Sequence, residues 1–82
     1  MNIALTYFIT ALVLTTNTPP TGWIQYTQAF SDRDACVYFI RRDQNELVEQ
    51  LEKYFKEKLI RIKTFDCLTR EEAVRRNSEL GH

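Results

Sequence analysis

The 82 residues make one domain, and a chain this short buries a modest share of its surface and is marginal without help. Apolar residues are 44% of the total, which suits a globular domain rather than a disordered one. The 11 basic side chains balance 11 acidic ones, which excludes a long-range field that would draw in nucleic acid, an anionic membrane or an acidic substrate. The charges are unevenly placed: residues 1–31 carry no Lys, Arg, Asp or Glu, and residues 32–82 carry all of them. The single domain, 1–82, therefore divides into an apolar hairpin or anchor segment, 1–30, and a charged helix–strand–helix segment, 31–82.

The run from Ile3 to Leu14 is apolar but for its threonines. As a signal peptide it has a suitable apolar core but no Lys or Arg before it and no small-x-small site after it. As a membrane span it is short of the roughly 20 residues required. As a buried strand it is rich in β-branched and aromatic residues. Strand, uncleaved signal or anchor, and helix all stand as readings, and the presence of Met1 favours an uncleaved chain. Thr15 to Gly22, with Asn17, Pro19 and Pro20, reads as a turn. Trp23 to Phe30 reads as a second strand, with Ile24, Tyr26 and Phe30 on one face and Trp23, Thr27 and Ala29 on the other. Strand, polar turn and strand predict a hairpin.

Ser31 is placed as an N-cap, with Asp32 in the first turn and Asp34 three residues on. Ala35, Cys36, Phe39 and Ile40 form an apolar face. The polar stretch Arg41 to Asn45 interrupts it, and Leu47, Val48, Leu51, Tyr54 and Phe55 resume it. The pattern predicts either one long helix with an exposed polar turn or two helices with a kink near Asp43, where Asp43 and Glu46 would cap a fresh start. Glu49–Lys53 and Glu52–Lys56 are i,i+4 pairs in the favourable order. Leu59 to Cys67 reads as a strand in which Ile60 and Ile62 point inward, and the parity slip to Phe65 and Cys67 predicts a bulge near Thr64. Thr69 and Glu72 form a capping box that opens a last helix, with Ala73, Val74 and Leu80 as its apolar contacts and Gly81 as its C-cap. The order is β-β-α-β-α, an α+β domain with an antiparallel hairpin, a third strand, a long or kinked helix and a short C-terminal helix.

The two cysteines, Cys36 and Cys67, allow one intramolecular pairing. A bridge would staple a helix opening to the end of a strand and would imply an oxidising compartment or an extracellular particle. The alternative is two buried free thiols. As a nucleophile either would need an activating base, and the one histidine is the terminal His82. No Cys-x-x-Cys pair or His/Cys cluster has zinc-ligand spacing, and the chain's two glycines make no phosphate-binding loop. No cofactor, metal or small-molecule substrate is expected, and the chain reads as a non-enzyme. Asp32, Asp34, Asp43 and Asp66 sit at helix ends, where capping accounts for them. Lys53, Lys56, Lys58, Arg61 and Lys63 could line one face of a helix–strand junction, the best case for nucleic-acid contact. A solvated face balanced by Glu49, Glu52 and Glu57 is the preferred reading. As contacts for a protein partner the candidates are Trp23, Tyr26, Lys53, Arg61 and Lys63, with Tyr38 and Tyr54 as further aromatic anchors, although such aromatics more often belong to a core.

The layout resembles small proteins of marine bacteriophages, cyanophages among them. The matching features are the short apolar start, the Pro-containing turn, the aromatic strand and the helix opening from Phe30 to Cys36. The tail adds Cys67, Thr69, Glu72, Ala73, Asn77, Leu80 and Gly81. The resemblance spans nearly the whole chain and brings no known activity and no catalytic residues. It implies a phage-encoded accessory protein. Three functions follow as expectations. The first is a minor or decoration component of a virion, docking on capsid or other subunits through a strand edge or its N-terminal segment as part of an assembly. The second is a protein exported to or anchored at the host envelope through residues 1–14. The third is a cytoplasmic inhibitor or binding module with reduced cysteines.

Overall fold

In a computed structural model of the chain, residues 5–80 are described. They follow the expected order: β1 (Tyr7–Thr15), β2 (Thr21–Phe30), α1 (Arg33–Phe55), β3 (Leu59–Leu68) and α2 (Arg70–Glu79), with a 3-10 turn, Lys56–Lys58, after α1. The three strands form one antiparallel sheet in the order β2-β1-β3. From Tyr7 onward the apolar run of the N-terminal third thus becomes the central strand, paired along both sides, while Leu5 and Thr6 lie before it. It ends one residue later than Leu14, and β2 begins at Thr21 rather than Trp23, so the turn is Thr16 to Pro20. Thr15 closes that turn, its N–H donating to the Pro20 carbonyl at 2.7 Å. The part of the predicted strand at Ile3 and Ala4, the cap at Gly81, and His82 lie outside the described residues.

The two faces of β1 meet different helices. Ile9, Ala11 and Val13 pack against Cys36, Leu47, Leu51 and Phe55 of α1, with Ile24, Tyr26 and Phe30 of β2 and Ile62, Phe65 and Cys67 of β3 completing that side. Full burial of a side chain such as Ile9 or Leu47 contributes about 1.5–3 kcal/mol. On the opposite face, Leu12 is in register with Trp23 and Thr10 with Asp66, and both Trp23 and Asp66 touch Arg76 of α2. The sheet is therefore held between a long helix and a short one, and Thr10 beneath the short one is fully buried.

The predicted bulge is present. Ile62 faces Val13 and Thr64 faces Leu12, which leaves Lys63 unpaired and returns Phe65 to the α1 side. A second irregularity was not foreseen: Arg61 faces Leu14 and Leu59 faces Thr15, so Ile60 is the extra residue and is 58% exposed instead of pointing into the core.

α1 departs from helical geometry at Asp43 (φ −116°, ψ 26°), the kink the polar stretch predicts. The Asp43 carboxylate is taken by Arg42, whose Nε and Nη2 donate to it at 3.2 and 2.9 Å. The helix starts one residue later than expected. Asp32, not Ser31, is the N-cap, its carboxylate accepting from the Asp34 N–H at 3.1 Å. Asp caps as well as Ser and adds a negative charge at the positive end of the helix dipole. At the other end Lys56 has φ 55° and ψ −131°, so it has left the helix and the Glu52–Lys56 pairing is lost. Among the described residues the ion pairs are Arg33–Glu72, Arg42–Asp43 and Arg76–Asp66, and the Glu49–Lys53 pairing is not formed. Ala35 and Tyr54 are exposed rather than on the apolar stripe, and the buried residues of the helix are Cys36, Leu47, Leu51 and Phe55. α2 has the predicted capping box, with the Thr69 hydroxyl accepting from the Glu72 N–H at 3.2 Å and Glu72 accepting from the Thr69 N–H at 2.9 Å. Only Ala73 of this helix is buried, and Val74, expected as a contact, is 61% exposed. A small residue at the contact point lets α2 lie close on the sheet.

Candidate protein-contact face

Cys36, in the first turns of α1, and Cys67, near the end of β3, are joined by a disulfide, with their Cα atoms 6.0 Å apart, within the range a bridge requires. Both are buried, at 0% and 1% exposure, in the cluster with Ile9 and Leu47. The bridge fastens the half of α1 that precedes the Asp43 kink. The half after the kink is fastened by Leu47, Leu51 and Phe55.

Of the predicted contact residues only Tyr26 and Tyr54 are brought together, at one groove. Tyr26 has an internal role: its hydroxyl donates to the Leu47 carbonyl at 2.7 Å and its ring packs against both buried clusters. Burial pushes its pKa up from 10.0 to about 12, since the phenolate would have to form away from water. Trp23 is half-buried on the other face of β2, with the Arg76 guanidinium 5.0 Å from its ring centre. Arg61 is in register with Leu14 on the α2 side of the sheet, Lys63 sits in the β3 bulge, and Lys53 is exposed on α1. The basic residues therefore do not line one face. The strand register sends Arg61 to the side away from α1.

A shallow groove of ≈ 330 Å³ lies between β2 and the second half of α1, lined by Ile24, Gln25, Tyr26, Thr27, Gln50, Leu51 and Tyr54. Tyr54 stands at its lip, 76% exposed, with its ring edge-on to Phe55 at 4.9 Å between centres. A core residue thus orients an exposed aromatic, and the β2 side of the groove carries no charge. This arrangement suits contact with a protein surface: a preoriented aromatic with a polar tip, beside apolar side chains and Gln50, whose amide can donate and accept hydrogen bonds.

Three polar residues turn out to act on the strand edges. Asn77 of α2 holds both backbone groups of Trp23, while Asp66 accepts from the Cys67 N–H and the Thr64 hydroxyl donates to the Phe65 carbonyl. Among the described residues no group of three or more His, Cys, Asp or Glu side chains could hold a metal ion, and no helix is long and apolar enough to cross a membrane. No protein-family model matches the chain, and neither a curated protein nor a solved structure is similar to it.

Proposed function

We propose that this chain is a non-enzymatic structural or interaction protein, phage-encoded, serving as a minor or decoration component of a virion. The observation that carries the reading is Tyr54, a large aromatic side chain left 76% exposed yet steadied by Phe55 at the lip of an uncharged, partly apolar groove. Such a residue is an anchor for a protein partner, here a capsid or other virion subunit, and no small-molecule substrate or nucleic acid is involved. The resemblance to marine phage proteins supports the phage origin, and the Cys36–Cys67 bridge supports an oxidising setting such as an extracellular particle. The test is quantitative mass spectrometry of purified particles carrying wild-type chain or Tyr54→Ala. A fixed number of copies per particle, reduced by Tyr54→Ala at unchanged thermal stability, is the expected result. Absence from particles sinks the proposal.

The same bridge favours one second reading, a phage protein exported to or anchored at the host envelope, since that compartment is also oxidising. Recovery in membrane or periplasmic fractions, and not in particles, would select it. A cytoplasmic inhibitor or binding module is the reading that the bridge supports least.

A further inference from the structure

An open sheet offers two edges to any further strand, and unprotected edges recruit other chains. Here side chains of the domain itself occupy both. In an antiparallel pair, facing residues alternate between those that bond to each other and those whose backbone groups point away. Trp23 is of the second kind: its N–H donates to Asn77 Oδ1 at 2.7 Å, and its carbonyl accepts from Asn77 Nδ2 at 3.2 Å. One side-chain amide thus presents to the β2 edge the donor and the acceptor that the backbone of another strand would present. On β3 the Cys67 N–H donates to Asp66 Oδ1 at 2.7 Å, and the Thr64 hydroxyl donates to the Phe65 carbonyl at 3.3 Å.

We propose that Asn77 is a latch that holds α2 across the β2 edge and bars strand addition there by a second copy of this chain. The inference stands apart from the virion reading. Charge selects the occupant. Residues 1–31, which include all of β2, carry no charged side chain, so two β2 strands meeting antiparallel bring no like charges together. The β3 edge carries Arg61, Lys63 and Asp66, so the charges it would bring together change with the register of pairing. Pairing of two β2 strands is a two-fold contact and closes at the dimer. The latch is also the weak point of α2. Its other ties are the small contact of Ala73, the Arg76 guanidinium over the Trp23 ring, and the Arg33–Glu72 and Arg76–Asp66 pairs, whose side chains are 52% and 27% and 40% and 42% exposed. An ion pair so exposed adds little.

The test is sedimentation velocity over a wide concentration range, with circular dichroism to verify folding. Wild type is expected to be monomeric. Asn77→Ala, which releases the second half of α2, is expected to double the apparent mass and to protect the Gln25 amide from hydrogen exchange. Asn77→Ser, too short to hold both Trp23 groups, serves as the second opening variant if the alanine variant does not fold. The addition of Gln25→Pro is expected to restore the monomer. Gln25 lies two residues from Trp23 and faces Thr10, so its N–H also points outward, and proline deletes it without breaking the pairing to β1. A folded Asn77→Ala or Asn77→Ser chain that stays monomeric at every concentration overturns the proposal. So does a dimer that persists with Gln25→Pro, or a wild type already dimeric through β2.

Discussion

Replacing both half-cystines, Cys36→Ala with Cys67→Ala, tests what holds α1 to the sheet. The bridge spans a sequence separation of 31 residues, so in the chain-entropy model it removes about 3–4 kcal/mol of loop freedom from the unfolded ensemble. In a domain this small, about 1 kcal/mol moves Tm by about 4–8 °C, so the variant is expected to melt about 12–30 °C below the oxidised protein. Alanine is the proper replacement, since serine at two sites with 0% and 1% exposure would bury hydroxyls without assured partners. Urea titration followed by circular dichroism gives the free energy. Amide hydrogen exchange locates the loss. Because Asp43 divides α1, Cys36 is the one fully buried residue of the half from Arg33 to Arg42, with Val37, Phe39 and Ile40 only partly buried beside it, whereas Leu47, Leu51 and Phe55 hold the other half. Exchange should therefore quicken more in residues 33–42 than in 47–55. A stability loss below about 1 kcal/mol would refute the loop-closure argument, and equal quickening in both halves would refute the division at Asp43.

Tyr26→Phe removes the donor to the Leu47 carbonyl and is expected to cost about 0.5–1.5 kcal/mol in urea unfolding. It also changes the alkaline limb of stability. Because the folded pKa of Tyr26 lies above its unfolded value, the folded state keeps its proton while the unfolded state loses it. Stability is full below pH 10.0 and falls as pH rises toward about 12, and the Phe variant should show a shallower fall than wild type. Lys56→Gly should stabilise by about 1 kcal/mol, seen as a higher Tm, because φ 55° with ψ −131° is a backbone state that glycine adopts freely and lysine does not. Thr69→Ala opens the capping box of α2 and should cost about 1 kcal/mol. The hydrogen bond from the Thr69 backbone N–H, more than the nearby Arg33 and Arg76, holds the Glu72 carboxyl below its usual range. Stability from Glu72 is thus present above the unfolded carboxyl pKa and is lost as pH falls through the lower folded value. Glu72→Gln should flatten that acid limb in a pH series of melts.

Much of the fold was legible because its signals are local. β-branched and aromatic residues at Tyr7 to Thr15, the prolines of the turn, the Thr69–Glu72 capping box and the polar break at Asp43 each act within a few residues of themselves. The slip in parity between Ile62 and Phe65 betrayed one bulge for the same reason. What stayed hidden depended on register. Ile60 and Ile62 look alike in the sequence, and only their alignment with β1 makes one an exposed extra residue and the other a wall of the α1 side. Tyr54 follows the helical spacing of the core and was open in the sequence to both a core and a partner-contact reading; the structure leaves it 76% exposed.

The site was less legible than the fold, and Asn77 shows why. Its two bonds to Trp23 cross 54 residues, a separation no local pattern reports. The one trace it leaves is its residue type. Asn inside a ten-residue helix is a poor helix former, at a cost of several tenths of a kcal/mol relative to Ala. Its amide competes with the helix backbone by bonding elsewhere. In α2 that competition is turned outward: the amide takes the two Trp23 groups, each worth about 0.5–1.5 kcal/mol net once bonded. The gain at the β2 edge exceeds the loss in the helix. A local misfit in propensity can therefore mark a long-range contact, and here it falls where the sheet would otherwise be open to another strand.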